Sequence, residues 1–250
     1  MGEHNTAVVL GAGRGRRMKS DVPKQFMALC NRPVLAWTLE AFQNFMEVQD
    51  IVLVTAEEEI GSCRREIVEK YGLSKVRQIV PGGAERCLSV RCGLRAADTR
   101  TDYVFIHDGV RPLVDEAILT RVLGEVRKYG AAAVGVPSMD TIKVSDGEGF
   151  VKTTPDRRSL WAMQTPQVFR YSLIREAYEK LTDEDVKRAT DDAMVAEWKT
   201  QTRVKLVMGS YEIIKITTPE DMALAELLLK HRQSGRREGN LAGIGGTACY

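Results

Sequence analysis

Three glycines at alternate positions, Gly11, Gly13 and Gly15, follow the short apolar run Ala7 to Leu10. Arg16, Arg17, Lys19 and Lys24 come directly after them. Glycine has no Cβ, so backbone N–H groups can approach an anion closely. Arginine and lysine add charge-assisted hydrogen bonds. An apolar run that opens into glycines and then into cations has the chemistry of a phosphate cradle. Two familiar phosphate loops do not fit it. The dinucleotide fingerprint needs a glycine at position 16, where Arg16 stands. The Walker loop needs a glycine before its Lys-Ser pair, but Met18 precedes Lys19-Ser20. A tight turn remains the alternative for the glycines, and a solvated surface run for the cations.

Other candidates lie further along. Asp108 closes an apolar run, where a carboxylate can bind ribose hydroxyls or a metal, or can cap the following turn. Lys24 follows Pro23 and so belongs to an extended or turn segment. Arg111-Pro112 can be a surface turn, and Asp140-Thr141 and Asp156-Arg157-Arg158 an exposed charged face. Lys215 interrupts Ile213-Ile214-Lys215-Ile216, a segment with the pattern of a buried strand. A buried lysine needs an anionic partner, either a substrate phosphate, the favoured reading, or an internal carboxylate. Of His4, His107 and His231, only His107 neighbours these groups. No Ser-His-Asp or Cys-His set is in evidence. An excess of cations without a nucleophile fits direct displacement at phosphorus, which needs positioning and charge stabilisation.

The elements that must hold these residues alternate between strand and helix. Leu35, Leu39, Phe42 and Met46 recur at helical spacing, then Asp50 to Val54 reads as a buried strand. Ile60, Cys63, Ile67 and Tyr71 make a second helix, ended by Gly72. Val76 to Val80 is a strand running into Pro81-Gly82-Gly83. Leu88, Cys92 and Leu94 mark a helix, Tyr103 to Ile106 a strand, Ile118, Val122 and Val126 a helix, and Ala131 to Val136 a strand. This alternation predicts a mostly parallel sheet covered on both faces. Ligands in such sheets sit at the carboxyl ends of the strands. The Gly11 loop, Gly82-Gly83 and His107-Asp108 should therefore converge on one edge.

From Pro137 to Gln167 the rhythm changes. Thr141 to Val144 and Phe150 to Thr153 flank the turn cluster Asp146 to Gly149, which predicts a projecting β-hairpin arm over about 137–167. Leu173, Ala177 and Leu181 return to helical spacing, and Thr190 is read as the N-cap of the next helix. Val204 to Met208 and Ile213 to Ile216 read as strands. Thr218-Pro219-Glu220-Asp221 starts a final helix with Ala223, Leu224, Leu227 and Leu228 as its apolar face. The expectation is one domain over 1–232 and a disordered tail over 233–250.

Composition narrows the class. Charged residues are 28% of the chain and leave a formal net charge of +2, which is no footprint for nucleic acid. The five cysteines form no CxxC pair and no zinc pattern, so free thiols in a reducing compartment are expected. No apolar run would span a membrane and no signal-peptide core is present. Met1-Gly2 with Thr6 matches a myristoylation pattern, but Thr6 directly precedes the first strand and leaves little tether. The cytoplasm is the expected location.

The segments AVVLGAGRGRRM with PKQF, GGAERCLSV, HDGVRP, MDTIKV, TPDRRSLWAMQTPQVF, ATDDA and IKITTPED occur in this order. Together, over residues 7 to 230, the chain resembles the 2-C-methyl-D-erythritol 4-phosphate cytidylyltransferases of the non-mevalonate isoprenoid pathway. The resemblance implies a Rossmann-like nucleotidyltransferase fold, CTP and a small sugar-alcohol phosphate as substrates, and a homodimer through interlocked arms. It also implies Mg²⁺ bound mainly through the CTP phosphates; no residue is assigned as a metal ligand. By the same resemblance, Gly11, Ala12, Gly13, Arg14 and Gly15 wrap the CTP phosphates, and Arg17 and Lys24 stabilise charge at the α-phosphate. Gly82, Gly83 and Ser89 match the cytosine pocket. Asp108 matches a carboxylate on the ribose and substrate side. Arg111, Thr141, Arg157, Thr190 and Lys215 match the sugar-phosphate site, with Arg157 and Lys215 positioning the attacking phosphate and the arm reaching across the dimer.

Three positions depart from the family's usual pattern. Leu10-Gly11-Ala12 stands where Pro-Ala-Ala is common, Ala84 where an acidic residue is frequent, and Gly109 where alanine is usual, which reads as a minor change. Two alternatives stay open. Ribitol-5-phosphate cytidylyltransferases share the GxG, PKQF, QTPQ and IKITTP motifs. A catalytically idle nucleotide-binding protein could also use this fold, though such a protein would need none of Arg17, Lys24, Arg157 and Lys215.

Overall fold

The computed structural model describes residues 2–13 and 23–242, with side chains as far as residue 234. Arg14, Gly15 and Arg17 lie outside the described residues, as do residues 243–250 of the expected tail.

In chain order the elements are β1 (Asn5–Leu10), β2 (Ala28–Leu29), β3 (Arg32–Pro33), α1 (Val34–Asn44) and β4 (Asp50–Thr55). Then come α2 (Ile60–Ser62, running on as a π-helix over Cys63–Glu69), β5 (Val76–Pro81), α3 (Arg86–Ala96), β6 (Tyr103–Asp108) and α4 (Glu116–Tyr129). β7 (Ala131–Pro137), β8 (Val144–Ser145), β9 (Val151–Thr153), β10 (Trp161–Arg170) and α5 (Tyr171–Glu179) follow. The chain ends with α6 (Asp183–Arg188), α7 (Asp192–Thr200), β11 (Lys205–Met208) and α8 (Pro219–Ala242).

Among the described residues, seven strands form one sheet in the order β11-β7-β10-β6-β1-β4-β5. All neighbours are parallel except β10, which runs antiparallel between β6 and β7. This is the expected mostly parallel α/β sheet. Because successive residues of a strand face opposite sides, β6 divides its side chains between two cores. Phe105 joins Leu35, Leu39 and Phe42 of α1 and Leu119 and Val122 of α4 on one face. Val104 and Ile106 join Val90 and Leu94 of α3, Ile174 and Tyr178 of α5 and Val195 of α7 on the other.

The expected arm is shorter than 137–167. β8 and β9 form a separate two-stranded hairpin, while β10 begins at Trp161 and belongs to the central sheet. The apolar residues Val168 and Phe169, fully buried between β6 and β7, draw that segment in. Ile213 to Ile216 is not a strand. It is an irregular segment whose Ile213 and Ile216 side chains are buried while its backbone bonds elsewhere, with Ile216 N–H donating to the Val110 carbonyl. α8 turns a different face inward than its leucines imply. Ala225 and Leu229, with Met222 and Leu228, pack on Leu29, Leu113 and Ile216, leaving Leu224 and Leu227 exposed. The same helix runs to Ala242, past the expected boundary at Arg232.

Candidate functional site

β1, β4, β5 and β6 run parallel, so their carboxyl ends share one edge, and the loops that leave them meet there. Gly11 N–H donates to the Val54 carbonyl (2.6 Å), Gly82 N–H to Thr55 (2.8 Å) and Gly109 N–H to Leu10 (2.8 Å). The three turns are thereby tied to the strand beside each. A Cβ on Gly82 would meet Ala12 Cβ at 2.7 Å and Ser89 Oγ at 2.8 Å, so the two glycine loops touch only because that atom is missing. A Cβ on Gly83 would strike Leu88. Ser89 is buried and accepts from Gly83 N–H (3.1 Å), which holds the Gly82-Gly83 turn against the start of α3. Gly109 is a larger departure than the sequence implies. A Cβ there would sit 2.8 Å from the Leu10 carbonyl oxygen and 2.9 Å from Leu35 Cδ1.

His107 and Asp108 end β6 on opposite faces. His107 is wholly buried on the α1 side, 5.2 Å from the Phe42 ring centroid. Its Nε2 lies 3.2 Å from the Arg111 carbonyl, which can only accept, so Nε2 carries the proton. Nδ1 then accepts from Thr165 Oγ1 at 3.0 Å, and Thr165 in turn accepts from Asp108 N–H at 3.0 Å. Burial pushes the imidazole pKa down to about 4, leaving His107 neutral. It shapes the turn and carries no charge into the site.

Asp108 faces α3 and collects cations. Lys215 Nζ lies 2.8 Å from its Oδ2, Arg86 Nε donates to its Oδ1 at 3.3 Å, and Arg111 Nε stands 3.6 Å from Oδ2. Burial pushes the Asp108 carboxyl up, but Arg86, Lys215 and Arg111 outweigh it and hold the group well below the usual carboxylate range. Lys215 therefore has the internal carboxylate as its partner, the reading the sequence favoured less. An ammonium has three donors, so this pair leaves Lys215 capacity for a phosphate. Arg111 is no surface turn. It is largely buried, burial pushes its pKa down, and its guanidinium donates to the Ile213 carbonyl at 2.8 Å. Lys24 opens a short 3-10 turn (Lys24–Phe26), is 9% exposed, and donates to the Ile216 carbonyl at 3.0 Å. Lys24 and Arg111 thus both grip the segment that carries Lys215.

The sequence reading gave no role to Arg86 or Asp192. The Arg86 guanidinium makes a two-pronged bond to the fully buried Asp192, at 3.0 and 2.9 Å. Burial alone would lower the Arg86 pKa; Asp192 and Asp108 reverse that and hold it well above its ordinary value. Both residues stand inside motifs already singled out, GGAERCLSV and ATDDA, and a cation at the first position of a helix was the available signal. The cap of α7 is Asp191, which accepts from Met194 N–H, and not Thr190. Thr190 is exposed, with its hydroxyl 3.6 Å from Met194 Sδ.

The arm residues stand apart from this cluster. Thr141 and Arg157 are exposed, and among the described residues neither side chain makes a hydrogen bond or ion pair. Asp156 accepts instead from Arg158. One chain thus brings Lys24, Asp108, Arg111 and Lys215 together with the glycine loops, and does not add Thr141 or Arg157. Both Asp108 oxygens already face cations. Among the described residues, His4, Asp50 and Asp98 bring ligand atoms within 4.8 Å of one another. They lie at the opposite edge of the sheet, with Arg77 and Arg100 on the carboxylates.

Comparison with known proteins gives a consistent result. The family model described as 2-C-methyl-D-erythritol 4-phosphate cytidylyltransferase matches residues 5–231. A relative of that name from Lachnoclostridium phytofermentans is 46% identical over 231 residues, covering 92% of this chain and 98% of its own. One from Geobacter metallireducens is 46% identical over 229 residues, covering 90% and 97%. Among solved structures, the 4-diphosphocytidyl-2C-methyl-D-erythritol synthase of Anaerococcus prevotii superposes with a TM-score of 0.77 at 31% identity, over 91% of this chain and 99% of its own. The 2-C-methyl-D-erythritol 4-phosphate cytidylyltransferase of Thermus thermophilus does so with a TM-score of 0.70 at 30% identity, over 89% and 98%.

Proposed function

The chain belongs to the 2-C-methyl-D-erythritol 4-phosphate cytidylyltransferase family, and from that premise we propose how its own residues divide the work. The enzyme transfers a cytidylyl group from CTP to 2-C-methyl-D-erythritol 4-phosphate, releasing pyrophosphate and forming 4-diphosphocytidyl-2-C-methyl-D-erythritol. The observation that carries the assignment of roles is the convergence of Arg111 and Lys215 on Asp108 beside two glycine turns, with Lys24 bonded to the segment that carries Lys215. Three cations and a fixed carboxylate suit two phosphate-bearing substrates.

Gly11, Ala12 and Gly13, with Arg14 and Gly15, wrap the triphosphate. Gly82, Gly83 and Ser89 take the cytosine, whose exocyclic amine and O2 can be read by backbone groups of this turn. Asp108 holds the ribose and substrate side. A sugar-phosphate oxygen, already anionic, attacks the α-phosphorus in line, and pyrophosphate leaves on the opposite side. Arg17 and Lys24 offset the charge that develops on the transferring phosphoryl group. Lys215 and Arg111, with Thr190 and the arm residues Thr141 and Arg157, hold the attacking phosphate. The reaction needs no protein acid or base. Bound Mg²⁺ would neutralise phosphate charge, held mainly through the CTP phosphates beside the Gly11–Gly15 loop.

The arm makes the enzyme a homodimer. Ile142, Phe150 and Val151 are exposed on it, and a two-stranded hairpin is at best marginal alone. No described helix is long and apolar enough to cross a membrane. Cys30, Cys63, Cys87 and Cys92 are free, as suits the cytoplasm.

The test is pyrophosphate release from CTP and Mg²⁺, comparing 2-C-methyl-D-erythritol 4-phosphate with ribitol 5-phosphate. Release with the first and not the second is expected. Preferential release with ribitol 5-phosphate would move the chain's sugar specificity to that second class. CTP binding without release in either case would make it an idle binding protein.

A further inference from the structure

Arg86 sits where a cation is disfavoured. It is the first residue of α3, at the positive end of the helix dipole. Two carboxylates offset that placement, one of them fully buried. We propose that Arg86 is a positioning residue for the transfer: pinned to Asp192, it sets where the Asp108 carboxylate stands and joins the nucleotide side of the site to the sugar-phosphate side. This rests on the reading of Asp108 as a group that touches substrate.

The geometry carries it in three steps. First, Arg86 is held rigidly. Its two terminal nitrogens bond both oxygens of Asp192, an arrangement that fixes the guanidinium plane. Asp192 is itself anchored, since the buried Tyr178 hydroxyl donates to its Oδ1 at 2.5 Å. Gln167 Oε1 accepts from the Asp192 and Ala193 N–H groups, and Gln167 pairs in register with Ile106 of β6, two residues before Asp108. The chain of contacts closes on itself through α3, α7, β10 and β6.

Second, the remaining Arg86 nitrogen, Nε, takes Asp108 Oδ1 while Lys215 takes Oδ2. Arg111 Nε is buried without a hydrogen-bond partner among the described residues, 3.6 Å from Oδ2. A carboxylate released from Arg86 would turn to close that gap and pair with Arg111 and Lys215 together. Those are two of the cations assigned to the attacking phosphate. Arg86 therefore keeps Asp108 from occupying Arg111 in addition to Lys215.

Third, the link runs between substrates. Arg86 directly follows Gly82 to Glu85, the turn assigned to cytosine, and Asp192 lies two residues after Thr190, assigned to the sugar phosphate. The Arg86–Asp192 pair sets the distance between those two loops.

Steady-state kinetics of Arg86→Lys, Asp192→Asn, Tyr178→Phe and Asp108→Asn test this, alongside melting curves. Lysine keeps the charge but cannot span both carboxylates. Arg86→Lys should lose roughly ten- to hundred-fold in kcat/KM, the scale of a misplaced reacting group. The loss should fall chiefly on kcat and on KM for the sugar phosphate, with a smaller rise in KM for CTP through the ribose side of Asp108. Asp192→Asn should share that split, and the double variant should be no worse than the more impaired single. Tyr178→Phe, which keeps the packing, should show the same split more weakly and serves if Asp192→Asn fails to fold. Wild-type constants in a folded Arg86→Lys enzyme, or equal rises in both KM values, would overturn the proposal while Asp108→Asn remains impaired. A silent Asp108→Asn would instead overturn the reading of Asp108 and this proposal with it.

Discussion

His107 and Asp108 are neighbours in sequence with opposite electrostatic fates, and each yields a prediction. His107 is neutral because burial lowers its pKa to about 4. The unfolded chain binds a proton at this position below about pH 6.5 and the folded chain does not until about pH 4. The stability His107 contributes is therefore complete above the unfolded value and is lost as pH falls through that window. Between pH about 7 and about 5 the loss should be about 2 kcal/mol from this group. In denaturant melts, His107→Gln should remove that part of the pH dependence; an unchanged slope would contradict it. Asp108 stays ionised throughout the window, since its cations hold its pKa well below the usual range. Lys24 belongs to the same scale. It is buried beside the Lys215 segment, and Lys24→Ala should cost roughly 10²–10³-fold in turnover with the fold retained, the scale of one preorganised donor. Turnover near that of the wild type would remove Lys24 from the mechanism.

At the scale of elements, α3 is seated by one missing atom. A Cβ at Gly93 would lie 2.9 Å from Val54 Cγ2 and would also strike Val8, both rigid β-branched residues of the central strands. Gly93→Ala should therefore force α3 off the sheet and cost roughly 1–3 kcal/mol, read from urea melts. Arg86 and Ser89 ride on the same helix, so activity should fall further than stability alone explains. A variant as stable as the wild type would show that the helix has room to move. Most of the sheet was legible in the sequence because β1, β4, β6 and β7 carry apolar runs and Gly11, Gly82 and Gly109 follow β1, β5 and β6. Ile213 to Ile216 was not, because two buried isoleucines look alike in a strand and in an irregular segment anchored by Arg111, Lys24 and Val110. β10 was hidden for a related reason. It follows the hairpin without a break in pattern, and only its pairing with β6 and β7 separates it from the arm. Arg86 and Asp192 escaped notice because one residue names neither its partner nor its burial; the pair spans 106 positions. Asp108 and Lys215 were recognised singly, while their mutual bond was visible only in three dimensions.

At the scale of the whole molecule, the site divides between a sheet edge that is assembled and a separate hairpin arm whose Thr141 and Arg157 do not join it. Thr141 and Arg157 are exposed on the arm side without side-chain partners among the described residues, and Ile142, Phe150 and Val151 expose apolar surface beside them. The proposed symmetric dimer that exchanges arms would account for both facts, because each chain's arm would then complete the other's edge. That arrangement makes a prediction no monomer shares. Lys24→Ala disables the edge and leaves the arm intact; Arg157→Ala does the reverse. Each variant alone should be nearly inactive with saturating CTP and limiting sugar phosphate. When the two are unfolded together, refolded and allowed to pair at random, half of the dimers should be mixed. In a mixed dimer the intact arm of the Lys24→Ala chain serves the intact edge of the Arg157→Ala chain, and the other site carries both defects. One site in two, in half of the dimers, restores roughly a quarter of wild-type activity. Sedimentation of the mixture should give the dimer mass. If mixing restores no activity while the dimer forms, Arg157 serves its own chain and the arms do not cross.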